Sequence, residues 1–246
     1  MGEDPGSKPR KAIFSFITPS TTVRASYSVQ KRTLTKALQR HRWFDEGDLL
    51  DTMEKGVMYP IIHYAEICPN GNKPPMSLQD PMALGQEFTL QQGLYAEIKF
   101  SNPGIVQKIS SAPKDELLTH KACIFMGFKK LDSHFSEVLE DSWKDWTGAR
   151  LIYMNLSDEF GLSRLSFYRR LAPKDADMFM YIMMVECDSV NSKNQIRLLD
   201  FVQRLRVERM MGYLSVYKVE QLVPSTANVI NGLLTEAVDS AGKVNI

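Results

Sequence analysis

Residues 178–185 read MFMYIMMV, an apolar run in which polar side chains do not occur at every second position. A strand with one face in water alternates apolar and polar side chains, whereas a strand covered on both faces is apolar throughout. The run is also far shorter than the roughly 20 apolar residues of a membrane-spanning helix. It therefore predicts a fully buried strand at the centre of a sheet.

The chain on the C-terminal side of this run predicts helices and a further strand. One helix covers residues 194–211 and ends at Gly212, a strand follows at 213–220, and a final helix covers 226–238. The apolar side of the 194–211 helix is predicted to consist of Ile196, Leu199, Val202 and Leu205.

On the N-terminal side, short stretches with alternating or β-branched residues predict more strands. These strands cover 12–18, 22–29, 57–67, 93–101, 105–110 and 121–129, with a hairpin made of 149–155 and 162–171. Helices are predicted at 33–44 and 132–146, with two helical turns at 48–54.

The predicted fold class is α+β, a mainly antiparallel sheet of short strands with helices packed on one side. We expect a single domain over residues 12–246, with a loop-rich stretch at 68–88. Residues 1–11, rich in Gly, Pro and basic side chains, are expected to form a mobile basic arm in front of it.

The composition is that of a globular protein, with 246 residues, 43% hydrophobic and 24% charged residues, and a formal net charge of +1. The N-terminal sequence MGEDPGSKPRK contains no apolar segment of the kind found in signal peptides. Cys68, Cys123 and Cys187 are far apart and odd in number, which is typical of buried thiols in a reducing compartment. The protein is expected to be soluble or peripheral to a membrane, and not secreted.

Sequence patterns that bind nucleotides or perform catalysis are missing. Neither GxGxxG nor GxxxxGK[ST] occurs, so a phosphate-binding glycine loop is not expected. His120 and Cys123 would point to opposite faces of a strand, and Cys123 is predicted to be a core thiol. The four histidines lack the spacing of metal ligands. We therefore expect no catalytic residue, no cofactor and no metal.

The charged residues are segregated along the chain. Residues 1–43 carry nine Lys or Arg and two acidic residues, whereas residues 44–67 carry six acidic residues and one Lys. The predicted membrane- or phosphate-binding residues are Lys8, Arg10, Lys11, Lys31, Arg32, Lys36, Arg40 and Arg42. The predicted self-association residues, which would contact the basic surface of another copy, are Asp45, Glu46, Asp48, Asp51 and Glu54.

Two long stretches resemble the matrix proteins of rhabdoviruses in the order of their elements. The first is SFITPSTTVRASYSVQKRTLTKALQRHRWF followed by GVMYPIIHYAEICPNGNKPP, a strand, a helix rich in Leu and Ala, and an apolar segment before a Pro-rich loop. The second is MFMYIMMVECDSVNSKNQIRLLDFVQRLRVERMMGYLSVYKVE, a hydrophobic strand, a polar loop, a long helix and a last strand. The PPxY and P[TS]AP peptides by which some members recruit the budding machinery do not occur.

This resemblance implies a viral structural protein without enzymatic activity, which self-associates, binds anionic membrane and condenses the nucleocapsid. Lys8, Arg10 and Lys11 would then occupy the arm, and the other basic residues the adjacent surface. The expected partners are further copies of the chain, an anionic membrane surface, and the nucleocapsid or RNA, with no small-molecule substrate. The expected location is the virion, the host cytoplasm and the inner membrane face, with the nucleus as an alternative.

Two other hypotheses fit the same sequence. The first is a nucleic-acid-binding viral accessory or movement protein, in which the basic residues would contact phosphates. The second is an enzyme with a site assembled from residues that are distant in the chain, which would leave no local motif.

Overall fold

The computed structural model describes residues 10–20, 26–44, 47–67, 78–103, 119–129, 137–174, 177–209 and 212–221. Eight antiparallel strands form a closed barrel. The strands are β1 (Lys11–Pro19), β2 (Asp48–Thr52), β3 (Ile61–Ile67), β4 (Phe88–Ser101), β5 (His120–Phe128), β6 (Leu162–Ala172), β7 (Tyr181–Val190) and β8 (Tyr213–Gln221). The helices are α1 (Tyr27–Gln39), α2 (Glu137–Asp141), α3 (Trp143–Trp146), α4 (Ala149–Asn155) and α5 (Gln195–Arg209). Single 3₁₀ turns occur at Arg42–Phe44 and Asp158–Phe160.

Around the barrel the strands follow the order β1, β3, β2, β8, β5, β7, β6, β4, and β4 pairs with β1. The first four strands and the last four have the same internal order. In each group the fourth strand pairs with the first, the first with the third and the third with the second. The pairs β2–β8 and β4–β6 join the two groups. The barrel therefore contains a twofold repeat of topology.

The predicted arrangement, an α+β sheet with helices packed on one side, is wrong. The sheet closes on itself, and within the described ring each strand has two antiparallel neighbours. Leu34 and Leu38 of α1 pack outside the first four strands, and α3, α4 and α5 pack outside the last four. Helices therefore cover the outside of both halves. Local sequence patterns do not reveal closure, because it joins strands that are far apart in the chain.

The stretch 178–185 is covered on both faces, as its composition predicts. It contributes most of its residues to β7, in which Ile182 and Met184 point into the barrel and Met183 and Val185 point toward the outer helices. All four side chains are buried. A closed ring has no central strand, so this burial comes from the filled interior on one side and the helical layer on the other.

Residues 48–54, predicted as helical turns, instead contain β2. Leu49 packs in the outer cluster under α1, whereas Leu50 packs in the barrel interior, as alternation along a strand requires. Pairing with β3 on one side and β8 on the other fixes this conformation. Neither partner strand is evident from the local sequence.

Two stretches predicted as strands are helical. Residues 149–155 form α4, in which Ala149 and Ile152 are buried one helical turn apart. The predicted strand at 22–29 overlaps the beginning of α1. In α4 the apolar residues meet the barrel at helical spacing, and packing overrides the local preference for a strand, whereas Val29 at the beginning of α1 is 50% exposed.

The long helix α5 forms as predicted, and its buried face agrees with the prediction at Val202 and Leu205 only. Leu198, Val202 and Leu205 are buried, whereas Ile196 is 70% exposed and Leu199 is only partly buried. The apolar stripe predicted from Ile196 and Leu199 is therefore displaced toward Leu198. Apolar residues lie close together in this part of the sequence, so two neighbouring faces of the helix are similarly apolar.

Some predicted elements lie outside the described residues. These are the strand at 105–110, the helix at 226–238, most of the arm at 1–11 and the first half of the stretch 68–88. The single domain over 12–246 stays a prediction. Among the described helices, none is both long and apolar enough to cross a membrane.

An aromatic cluster outside the first half of the barrel encloses His63 of β3. The His63 ring lies 5.4 Å from the Trp43 ring and 5.1 Å from the Phe44 ring, measured between centroids. His63 is fully buried, and this burial lowers its pKa to about 4. The unfolded chain would protonate this residue near pH 6.5. Stability is therefore complete above pH 6.5 and falls as the pH drops toward 4.

We expect His63→Gln to remove part of the acid-side loss of stability. Between pH 7 and pH 5 the wild-type free energy of unfolding should fall by about 2 kcal/mol more than that of the variant. Urea denaturation at both pH values measures this difference. His41→Gln, which removes a less buried histidine near the same cluster, is the control and should keep the wild-type slope. Equal slopes for wild type and His63→Gln would contradict the assignment.

Candidate ligand-binding chamber

Aromatic rings fill the middle of the barrel. Phe14 and Phe16 of β1 lie 6.1 and 6.0 Å from Phe125 of β5, measured between ring centroids. Phe179, from the connection before β7, packs 5.4 Å from Phe16 and fills one end. Gly127 of β5 is required there, because a Cβ atom at this position would lie 2.6 Å from the Phe179 ring. This end of the interior is therefore packed.

The opposite end, where β1, β2 and β5 begin, contains a cavity of about 320 Å³, here called the chamber. The apolar part of its lining, here called the floor, consists of Leu50, Ala122, Cys123, Met184 and Val219. Its polar lining consists of Arg10, Asp48, Tyr64, Glu66, Lys121, Glu186 and Asp188. A volume near 300 Å³ is at the lower end of the range for small-molecule sites.

One side of the chamber is held by hydrogen bonds around Glu66. Arg10 Nη1 donates to Glu66 Oε1 at 2.7 Å, and the Tyr64 hydroxyl donates to the same oxygen at 2.8 Å. The hydroxyls of Tyr64 and Tyr168 lie 3.0 Å apart inside the barrel. Burial raises the pKa of both tyrosines, so they stay protonated and act as hydrogen-bonding groups. The wall is thereby fixed in one geometry.

Next to this wall, a buried ion pair joins β4 to β6. Arg164 Nη2 donates to Glu97 Oε1 at 2.7 Å, and the Glu97 side chain is fully buried. Arg164 Nε also donates to Ser166 Oγ at 2.9 Å, and its guanidinium lies 4.5 Å from the centre of the Phe100 ring. Arg10 Nε lies 4.0 Å from the second oxygen of Glu97. The two networks are therefore electrostatically linked.

Two other carboxylates of the chamber differ from Glu66 and Glu97 in their hydrogen bonding. Asp48 and Glu186 accept no side-chain hydrogen bond from the described residues. Burial is the main cause that raises the pKa of Asp48, with a further contribution from Glu66, and Lys121 opposes it. Burial likewise raises the pKa of Glu186, with Asp188 adding to it and Arg164 opposing it. Such groups bind hydrogen-bond donors strongly when ionised, because water solvates them incompletely.

Cys123 lies on the floor and is fully buried, in agreement with its prediction as a core thiol. Burial raises its pKa well above the ordinary value, so the nucleophilic thiolate is disfavoured. His120 lines a separate groove with Leu199 and Lys218. The two residues thus contribute to different surfaces. Within the described ranges, no group of three or more His, Cys, Asp or Glu is placed to hold a metal ion.

Residues 44–219 match the model of a family described as a domain of unknown function, DUF7153. The chain belongs to this family. The matched region contains every lining residue of the chamber except Arg10, and it begins after the basic segment 1–43. A search of curated proteins finds no match to the chain.

Solved structures with some likeness to this DUF7153 domain include chlorite dismutases. One protein assigned as a chlorite dismutase is 9% identical, covers 88% of this chain and 96% of its own, and has a TM-score of 0.40. A mutant chlorite dismutase from Candidatus Nitrospira defluvii, in complex with cyanide, is 11% identical over 87% and 91% of the two chains, with a TM-score of 0.41. Likeness at this level says nothing about what the present chain binds or catalyses.

The structure separates the basic residues that the sequence groups together. Arg10 lines the chamber, and Lys31 forms ion pairs with Asp51 and Glu220. Four of the predicted binding residues are exposed, three of them along α1 and one at the start of β1: Arg32, Lys36, Arg40 and Lys11. Lys8 and the side chain of Arg42 lie outside what the structure describes. We call the three exposed side chains of α1, Arg32, Lys36 and Arg40, the basic stripe.

Of the described acidic residues of the DUF7153 domain that were predicted for self-association, two bind groups of the same chain and one lines the chamber. Asp48 lines the chamber, and Asp51 pairs with Lys31. Glu54 accepts hydrogen bonds from Arg206 Nη2 at 2.9 Å, from a serine hydroxyl of β8 at 2.7 Å, and from a backbone N–H of β8 at 3.0 Å. Asp45 and Glu46 lie outside the described residues.

These three acidic side chains therefore do not form one exposed face. β2 alternates its side chains between the barrel interior and the outside, so neighbouring acids point in different directions. Lys31 of the basic segment and Asp51 of the acidic segment form an ion pair within one molecule. Self-association itself stays a prediction.

Six charged residues of this end of the barrel are absent from the sequence-based set: Glu66, Glu97, Lys121, Arg164, Glu186 and Asp188. A sequence signal by which such residues could be found is a charged residue at the edge of an apolar strand. Glu186 directly follows the run MFMYIMMV, and Glu66 follows the apolar run of β3. Their meeting in one chamber depends on barrel closure, which the sequence does not show.

We expect the Glu97–Arg164 pair to be strongly coupled. Arg164→Leu leaves a buried carboxylate without its partner and should lower the free energy of unfolding by about 3–5 kcal/mol. Glu97→Leu combined with Arg164→Leu should recover much of this loss, because no uncompensated charge remains. A double-mutant cycle by urea denaturation measures the coupling.

The exposed pair Arg197–Glu159 provides the control for this cycle. Its coupling should stay below about 1 kcal/mol. If the losses at Glu97 and Arg164 are simply additive, the ion pair does not hold this end of the barrel together.

Proposed function

We propose that the chain is a small-molecule-binding barrel whose ligand occupies the chamber. One observation carries this proposal. Asp48 and Glu186 line the same cavity, are partly buried, and have no side-chain hydrogen bond within the described residues. Buried polar groups in proteins are almost always hydrogen-bonded, so such groups around a cavity favour a bound partner.

The remaining lining supports a site that exists before the ligand arrives. The Arg10–Glu66–Tyr64 wall is fixed by two hydrogen bonds shorter than 3 Å, and Arg164 holds Glu97 beside it. The floor offers apolar side chains for the body of a ligand. A preformed site loses little conformational freedom on binding. This proposal departs from the expectation that the protein has no small-molecule partner.

The proposal predicts that compounds of about 8–15 non-hydrogen atoms stabilise the protein and that filling the chamber abolishes the effect. A ligand at 100 times its Kd adds about 2.7 kcal/mol, which raises Tm by roughly 5–10 °C for a chain of this size. Val219→Trp places an indole on the floor at a partly buried position. Thermal unfolding of the full chain against a library of polar and amphiphilic compounds measures the shift.

The matched control is Val207→Trp on α5, where the side chain is 68% exposed and away from the chamber. Compounds that stabilise wild type and Val207→Trp, but not Val219→Trp, support the proposal. Equal shifts for Val219→Trp would show that binding occurs elsewhere, and a library without any stabilising compound would contradict a ligand-binding role.

The basic stripe favours a second candidate function, contact with an anionic membrane surface. Arg32, Lys36 and Arg40 are spaced four residues apart on α1 and are exposed together. Each basic residue near an anionic membrane contributes about 1 kcal/mol. The matrix-type role with self-association and nucleocapsid contact, its viral and host location, and RNA binding through the same stripe stay predictions. An enzyme assembled from distant residues also stays a prediction, and the chamber is where its site would lie.

Charge reversal of Lys36 and Arg40 to Glu should weaken binding to vesicles containing phosphatidylserine by at least tenfold at about 0.1 M salt, because the local charge changes by four units. Vesicle flotation measures the bound fraction. Lys193→Glu with Arg204→Glu makes the same charge change near and on α5 and should float like wild type. Unchanged flotation of the α1 variant, with unchanged Tm, would exclude the stripe as a membrane contact.

A further inference from the structure

The charges at the chamber end of the barrel divide into matched pairs and a remainder. Arg10 Nη1 lies 2.7 Å from a Glu66 oxygen, and Arg164 Nη2 lies 2.7 Å from a Glu97 oxygen. Lys121 Nζ lies 3.9 Å from an Asp188 oxygen. Each of the three cations thus has a carboxylate partner of its own.

Asp48 and Glu186 are the carboxylates left over after this matching. Neither forms an ion pair within 4 Å among the described residues, although Lys121 is near enough to influence both. The chamber end therefore carries an excess of two negative charges when its carboxylates are ionised. Both excess charges face the same cavity.

We propose that the ligand of the chamber is a compact amine, whose protonated nitrogen is attracted by the excess charge of Asp48 and Glu186 and whose apolar body lies on the floor. The proposal rests on the small-molecule function proposed above and names its ligand class. An ammonium group donates up to three hydrogen bonds, and bonds between charged partners are about twice as strong as neutral ones. It would supply both the donors and the charge that these carboxylates lack.

An anionic ligand fits the same lining poorly. To bind Arg10 or Lys121 it would have to compete with Glu66 or Asp188, and it would then lie beside Asp48 and Glu186. Like charges in a partly buried site repel strongly, because water screens them less than at the surface. A neutral alcohol could donate one hydrogen bond but would leave the charge excess in place.

The floor favours an apolar body on this amine. Leu50, Met184 and Val219 present hydrocarbon or thioether groups, and the buried Cys123 thiol adds a weakly polar one. Burying apolar ligand surface there strengthens binding, because that surface is removed from water. A cation without such a body, such as methylammonium, would use only the carboxylates and bind more weakly.

The charge preference is tested with three compounds of nearly equal shape: phenethylamine, 2-phenylethanol and phenylacetate. Calorimetric titration of the full chain at pH 8 keeps the carboxylates ionised. Phenethylamine should bind at least tenfold more tightly than 2-phenylethanol, and phenylacetate should bind most weakly. The corresponding butylamine, butanol and butyrate series repeats the test with a smaller body.

Asp48→Asn and Glu186→Gln identify the groups responsible. Each should reduce amine affinity at least tenfold and change alcohol affinity by less than about threefold. Asp200→Asn on α5 makes the same carboxylate-to-amide change at an exposed ion pair and should leave all affinities unchanged. The wild-type comparison of the three compounds needs no variant, so it stands even if a chamber substitution prevents folding.

The outcomes separate the ligand class from the binding function. If other library compounds stabilise wild type but not Val219→Trp, while the amines bind no better than their alcohols or acids, the amine assignment is overturned and the chamber function stands. If no compound of any charge binds, both proposals fail. Amine binding that is unaffected by Asp48→Asn and Glu186→Gln also overturns the assignment.

Discussion

Pairing of β2 with β8 and of β4 with β6 joins two four-stranded groups into one ring, and the rest of the molecule depends on this closure. A closed ring forces every second side chain of every strand into a shared interior. In the middle and at one end, aromatic rings such as Phe125 and Phe179 fill that space. At the other end the inward positions carry Glu66, Glu97 and Glu186, which cannot pack as hydrocarbons do. The chamber is the consequence of charged residues at the end of a filled barrel.

The sequence predicts what depends on short-range pattern. Burial on both faces of 178–185 and the existence of α5 follow from composition and periodicity alone. Closure does not, because β2 pairs with strands on either side that come from opposite ends of the chain. The stretch DLLDT has little strand character of its own and becomes a strand through those partners. The repeat of strand order cannot be detected in the sequence either, because the two halves share the order of their strands but not their side chains.

Little of the candidate site could be predicted, because it assembles from one to three residues on each of five strands and from the residue before β1. Of the predicted residues, Arg10 and Asp48 reach the chamber, although each was assigned another role. Charge segregation along the chain did not predict which charged residues share a surface, because folding places Lys31 beside Asp51 and Glu54 beside Arg206. A block of like charges in sequence thus becomes a set of separate contacts. The exposed basic stripe of α1 is the part of that segregation that survives folding.

The packed aromatic middle of the barrel also bounds the chamber on its inner side. Behind its floor, the Phe14 and Phe16 rings lie 6.1 and 6.0 Å from the Phe125 ring, so side chains fill the interior there. A bound molecule must therefore leave the chamber before another can bind there. Two different small molecules would compete for the chamber, and one that dissociates slowly would block binding of the other.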